Sequence, residues 1–289
     1  MKAKLNKVAR DTNKFLIDYL RRQKKTKLIE PIKYGLLPGG KKIRSKILVD
    51  VGKMFKIDYK TLIQIGAAVE CIHAYSLIHD DLPCMDNDDW RRGKLSTHKK
   101  FGESTAVLAG NSLLTLAFEI LTDKKLKISP EKKNLIINLI SKSSGHTGVA
   151  GGQYLDLSFE KKKIPQNKII EMQIKKTGKL FSFCCLAPVY IAGKKTNFKK
   201  FNKMGEDIGL LFQITDDLID YRGNSFKAGK KTRKDSVKGK ATLISLLGYK
   251  NAVNYANKTK MNIFKILNNY GKRSSDLIET VEFILNREK

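Results

Sequence analysis

The chain has 289 residues, 41% of them hydrophobic, and a formal net charge of +29; that much apolar material supplies a sizeable core and excludes a disordered polyelectrolyte. Basic residues run along the whole length, lysine far outnumbers arginine, and no RNP motif or zinc-finger spacing occurs, so a general lysine bias explains the charge better than a polyanion-binding role and no nucleic-acid partner is expected. Cys71, Cys84, Cys184 and Cys185 lack CxxC spacing, which argues against a zinc site and against a secreted disulfide framework.

The basic N-terminus MKAKLNKVARDTNKFLIDYL has an apolar part, FLIDYL, too short for a signal peptide or a span, and no other run approaches ~18 consecutive apolar residues. The expectation is a cytoplasmic protein without a membrane span. The periodicity is helical almost throughout, so an all-α fold is predicted, with residues 1–289 as a single domain. An amphipathic helix fits residues 1–30. The loop GLLPGGKKIRSK follows at 35–46, where Pro38, Gly39 and Gly40 precede four cations. Residues 60–81 are apolar on most faces until two aspartates, as in a helix buried at the centre of a bundle. A second loop runs from Trp90 to about Glu103. Further helices are predicted at 104–122, 131–149, 167–192 and 198–221, with Pro188 kinking or ending its helix and Gly193 as a C-cap. The polar, very basic stretch 222–240 reads as a flap, and shorter helices fill the rest.

Scarce acids concentrate in two places. In QITDDLIDYR, Asp216 and Asp220 lie about 40° apart around a helix and about 6 Å along it, so they share one face while Asp217 points aside. In LIHDDLPCMDNDDWRRGK, Asp80 and Asp86 are six apart and would face different ways on a regular helix. Pro83 removes a donor and disfavours helix at Leu82, so the chain should turn there and return Asp86 to Asp80 and Asp81. One such string is usually a solvated face. Two of them, each ending an apolar helix where uncompensated charge is costly, point to a cation. Carboxylates without His or Cys suit Mg²⁺ shared with substrate phosphate oxygens, and Arg91 and Arg92 add donors for the same diphosphate.

These segments, together with GGKKIR at 39–44, ECIHAYSLIHDDLPCMD at 70–86, HKKFGE at 98–103, GGQYLDL at 151–157, KTGKL at 176–180, GLLFQITDDLID at 209–220 and GK at 229–230, occur in family order. The chain resembles the trans-prenyltransferases of the polyprenyl synthetase family, most closely the bacterial farnesyl diphosphate synthase type. The resemblance implies an isoprenoid-synthase-type helical bundle around a deep central cavity, usually a homodimer, that elongates an allylic diphosphate with isopentenyl diphosphate using Mg²⁺, three ions when substrate is bound. It makes Asp80 and Asp86 metal ligands supported by Asp81, and Asp216 the principal second ligand with Asp217 and Asp220 nearby. It places Gly40, Lys41, Arg44, His73 and Arg92 on isopentenyl diphosphate; Arg91, Lys176 and Lys230 on the allylic diphosphate; and Thr177 and Gln213 near the reacting carbons. Taken alone, His73 would be a satisfied core histidine and Lys176 a surface lysine.

The resemblance also implies that residues just before the first motif floor the hydrocarbon cavity. Ser76 lies about 6 Å below Asp80 on the same helical face, and Tyr75 about 7.5 Å below and to one side. An aromatic at that depth favours a C15 product, although CMDNDDWRRGK also resembles plant-type geranylgeranyl (C20) synthases. KGKATLISLLG departs from the family in lacking the usual Thr-Tyr-Pro after GK. A terpene cyclase, which needs no isopentenyl diphosphate residues, and a non-enzymatic polyanion-binding protein are the rival readings.

Overall fold

The computed structural model describes residues 1–37, 39–226 and 242–287. Pro38, Lys230 and most of the 222–240 stretch lie outside the described residues. The chain divides into two compact units, residues 1–140 with 187–194, and residues 141–186 with 195–289.

The first unit contains α1 (Lys2–Arg22), α2 (Ile29–Leu36), α3 (Ile43–Met54), α4 (Tyr59–Asp80), α5 (Thr97–Phe101), α6 (Glu103–Thr122) and most of α7 (Pro130–Ser144). α4 is its axis and packs against α1, α3 and α6. Asp58 caps its start by accepting from the Thr61 amide at 2.9 Å. Leu62, Ile65, Val69 and Ile72 are completely buried, each stabilising the unit by roughly 1.5–3 kcal/mol. The all-α expectation holds, with one addition. Trp90–Arg91 (β1) and Lys94–Leu95 (β2) pair antiparallel, and Arg92 and Gly93 between them both have positive φ, 53° and 76°, as a two-residue type I′ turn requires. By length and composition α4 and α6 could each cross a membrane, although polar residues interrupt their apolar runs; α4 is largely buried within the protein, α6 less than half so.

In the second unit, α8 (Val149–Phe159), α9 (Gln166–Gln173), a π-helical turn (Ile174–Gly178) and the start of α10 (Lys179–Ile191) precede the long α11 (Phe198–Phe226), followed by α12 (Leu243–Leu247), α13 (Tyr249–Leu267) and α14 (Ser275–Leu285). The predicted helix 131–149 breaks after Ser144, and 167–192 is interrupted by the π turn. α10 runs three residues beyond Pro188 and ends at Gly193, whose φ of 68° and the Lys194 N–H bond to Val189 O (3.1 Å) close the helix. α11 continues to Phe226, five residues past its predicted end. It packs against α13, α14 and the π turn. The close approach to the π turn depends on Gly209, where an added Cβ would lie 2.5 Å from Gly178 Cα.

Candidate active site

In the first unit α4 ends where Pro83 predicts. Asp81 is the C-cap, and the chain then folds back so that the Asp86 amide donates to the Asp80 carbonyl at 2.8 Å and the Asp88 amide to the Asp81 carbonyl at 3.1 Å. Asp80 and Asp86 therefore share one turn, both half-buried. Asp81 is buried and its carboxylate is gripped by the Arg91 guanidinium, with Nε at 3.0 and 3.2 Å and a closer contact from Nη2. Burial pushes the Asp81 carboxyl up, and Arg91 opposes that shift. Arg91 thus orders the acid turn, a contact the sequence did not indicate.

Arg44, in the first turn of α3, places Nη1 3.2 Å from His73 Nε2. A guanidinium only donates, so His73 must accept at Nε2 and carry its proton on Nδ1. The electrostatics agree: desolvation, then the cations Arg44, Arg92, Lys42 and Arg91, hold the imidazole well below its ordinary value, so it is neutral. The Arg92 guanidinium lies against Gly40, where a Cβ would come within 2.9 Å of Nη1. Lys41 is exposed beside them. One turn below the acids, the Tyr75 ring meets His79 edge-on with centroids 5.1 Å apart, and Ser76 Oγ donates to the His73 carbonyl at 3.1 Å.

The second unit centres on the π turn, an element that departs from α geometry mostly at functional sites. Gly152 of α8 lets two backbones touch, since a Cβ there would lie 2.1 Å from Lys176 N. One helical turn on, Asp156 accepts from Lys176 Nζ at 2.5 Å. Thr177 Oγ1 donates to Gln213 Oε1 at 3.4 Å, and Gln213 Nε2 donates to Asp217 Oδ1 at 3.0 Å, so the hydroxyl, the amide and the buried Asp217 form one chain along α11. Asp216 is 44% exposed and Asp220 is exposed. Arg287, just past α14 and only 8% exposed, donates Nη2 to Asp216 Oδ1 at 2.6 Å and to Phe212 O at 2.9 Å while stacking 3.8 Å over the Phe212 ring. Asp156 and Arg287 were not singled out from sequence; Asp156 stood inside the quoted GGQYLDL, whereas Arg287 carried no local signal.

Among the described residues, no group of three or more His, Cys, Asp or Glu is gathered to cage a metal. The donors present, paired aspartates on a turn and on a helix face, fit an ion such as Mg²⁺ that keeps waters and shares substrate oxygens.

Residues 25–286 match the family model described as Polyprenyl synthetase, and the chain belongs to that family. Among its relatives, the farnesyl diphosphate synthase of Escherichia coli strain K12 is 39% identical over 270 residues, covering 91% of this chain and 90% of that one. Two solved structures share the fold. An apo FPP/GFPP synthase from Zymomonas mobilis has a TM-score of 0.88 at 35% identity over 99% and 100% of the two chains, and a geranyltransferase from Helicobacter pylori, complexed with magnesium and isoprenyl diphosphate, has 0.81 at 30% over 98% and 96%.

Proposed function

We propose that the protein is a Mg²⁺-dependent prenyltransferase that adds isopentenyl diphosphate twice to dimethylallyl diphosphate, or once to geranyl diphosphate, and releases farnesyl diphosphate. The observation that carries this reading is the cationic cluster of the first unit, where Arg44 meets a neutral His73 and Arg92 lies against Gly40, in the same unit as the Asp80–Asp86 turn. Lys41, Arg44, Arg92 and His73 hold the diphosphate of isopentenyl diphosphate. Arg91, ordered by Asp81, and Lys176, ordered by Asp156, take the allylic diphosphate together with Lys230. When bound, Mg²⁺, three ions in this reading, would neutralise charge on the departing diphosphate; Asp80 and Asp86 in the first unit, and Asp216 and Asp220 in the second, are the residues that would hold it.

In the reaction the C1–O bond of the allylic substrate breaks, and its electron pair leaves with the diphosphate. The terminal alkene carbon of isopentenyl diphosphate bonds to the allylic C1, and a proton on the carbon next to the new cationic centre passes to the departing diphosphate, which restores a double bond. The Thr177 and Gln213 oxygens stabilise the cation by their dipoles, and the fixed cations stabilise the leaving group. Tyr75 limits the product to C15. Because one family model spans residues 25–286, we read 1–289 as one functional domain. We assign it to the cytoplasm as a homodimer, with Val107 and Leu108 exposed on the apolar α6 as the surface for the second copy.

The test is incubation with dimethylallyl and isopentenyl diphosphates, with Mg²⁺ or with EDTA, and product sizing. A Mg²⁺-dependent C15 diphosphate supports the whole reading. A C20 product keeps the chemistry and removes Tyr75 as the floor. Turnover without isopentenyl diphosphate points to a cyclase, and salt-sensitive nucleic-acid binding without turnover points to a polyanion-binding protein.

A further inference from the structure

Lys42, directly before α3, is the one cation of the GGKKIR stretch that no diphosphate reading uses. It is also the most constrained. Its backbone is left-handed, φ 50° and ψ 44°, a conformation that disfavours any residue with a Cβ. Its side chain is 3% exposed, as is that of Glu70 on α4. The Lys42 ammonium donates to the Leu36 carbonyl at 3.0 Å, across the segment that holds Gly39, Gly40 and Lys41, and lies 3.7 Å from Glu70 Oε2.

The other Glu70 oxygen reaches α3 itself. Oε1 accepts from the Ser45 amide at 3.3 Å and lies 3.0 Å from Ser45 Oγ. Ser45 is the third residue of α3, so its amide is one of the orphan donors of that helix, and a carboxylate supplied from α4 both caps it and complements the helix dipole. One turn further along α4, His73 receives Arg44. Glu70 and His73 thus share the α4 face that meets α3: Glu70 fixes the backbone of its first turn, and His73 fixes the guanidinium that the turn projects.

A buried ion pair is weak support for stability, since apolar residues of like volume often serve as well. A left-handed Lys42 tied to the preceding helix and to Glu70 serves geometry instead. It sets the path of the chain through Lys41 and the direction of Arg44. We propose that Glu70 and Lys42 are positioning residues for isopentenyl diphosphate: they touch no substrate and act through Lys41 and Arg44. The proposal rests on the assignment of those two side chains to that diphosphate.

The experiment measures binding of isopentenyl diphosphate alone by calorimetry, and the KM of each substrate, for wild type, Glu70→Gln and Lys42→Met, with circular dichroism to check folding. Each variant is expected to weaken isopentenyl diphosphate about tenfold in Kd and KM while the allylic KM moves less than about twofold. If Glu70→Gln does not fold, Lys42→Met, which keeps length and removes charge, carries the test. Unchanged Kd values in folded variants, or parallel losses for both substrates, overturn the positioning role. A wild type that binds isopentenyl diphosphate but makes no product refutes the proposed activity and leaves the Kd comparison standing; one that does not bind it overturns both.

Discussion

Replacing Gly152 by alanine tests whether the π turn is held by backbone contact. The new Cβ would sit 2.1 Å from Lys176 N and 2.3 Å from Lys176 Cα, and both are main-chain atoms that cannot rotate away. Ordinary contact begins at 3.4 Å, so α8 and the π turn must separate by about 1.3 Å. Overpacking of this kind costs about 1–3 kcal/mol, and a displacement near 1 Å at a reacting group lowers rate by about 100-fold. The same movement draws Asp156 from the Lys176 ammonium. The expected outcome is a lowered thermal midpoint and a kcat reduced about 100-fold, with the isopentenyl diphosphate KM nearly unchanged because its residues lie in the other unit. Calorimetry and steady-state kinetics with each substrate varied in turn measure both effects. A variant with wild-type midpoint and wild-type kcat would refute the reasoning, because the contact would then be relieved without moving Lys176.

Asp80→Ala and Asp216→Ala should each lower turnover by about two orders of magnitude or more without altering the circular dichroism spectrum, and near-normal rates in either would remove that residue from metal binding. Tyr75→Ala should lengthen the product beyond C15 by chromatography; an unchanged C15 product dismisses the ring as the floor. His73 gives a pH dependence. Its imidazole is held below the ordinary 6.5, so as pH falls through that value the unfolded chain takes a proton that the folded chain refuses, and stability declines toward the folded value. Thermal midpoints should therefore drop below about pH 6.5, more in wild type than in His73→Gln, and equal slopes would contradict the neutral assignment. Arg287→Gln should lower the half-saturating Mg²⁺ concentration by about two- to fivefold, a modest effect because Asp216 is 44% exposed; an unchanged or higher requirement would show that the arginine does not compete.

What the sequence made legible was local. The return of Asp86 to Asp80 follows from the missing donor and the steric demand of Pro83, and the shared face of Asp216 and Asp220 follows from helical pitch; both can be reasoned without knowing what packs nearby. The π turn could not be read this way, because one extra residue in a turn leaves the apolar pattern of 167–192 almost unchanged. The hairpin at 90–95 was hidden by its two-residue strands and by a turn that puts Arg92 at positive φ. The break after Ser144 has a visible cause: Gly145 and Gly148 sit four and one residues before the predicted helix end, and a Cβ at 148 would strike Ser143 O at 2.0 Å. Lys176 with Asp156 and Asp216 with Arg287 are separated by 20 and 71 residues, and no local rule couples such positions.

These distant pairs explain how a chain of net charge +29 keeps its few site carboxylates in a stable arrangement. Asp81 is held by Arg91, Glu70 by Lys42, Asp156 by Lys176 and Asp216 by Arg287, each within its own unit. The four pairs differ in accessibility, and that difference sorts their roles. The Glu70 and Asp81 side chains are 3% exposed, so exchanging their partners for a hydrated ion would cost desolvation twice, and they suit the fixing of neighbours. Asp216 is 44% exposed, so its carboxylate is open on one side, while the Arg287 side chain that meets it is only 8% exposed. A carboxylate open to solvent can take up a hydrated metal at a smaller desolvation cost than a buried one. By this argument the buried Glu70 and Asp81 build the site, and the more open Asp216 operates in it.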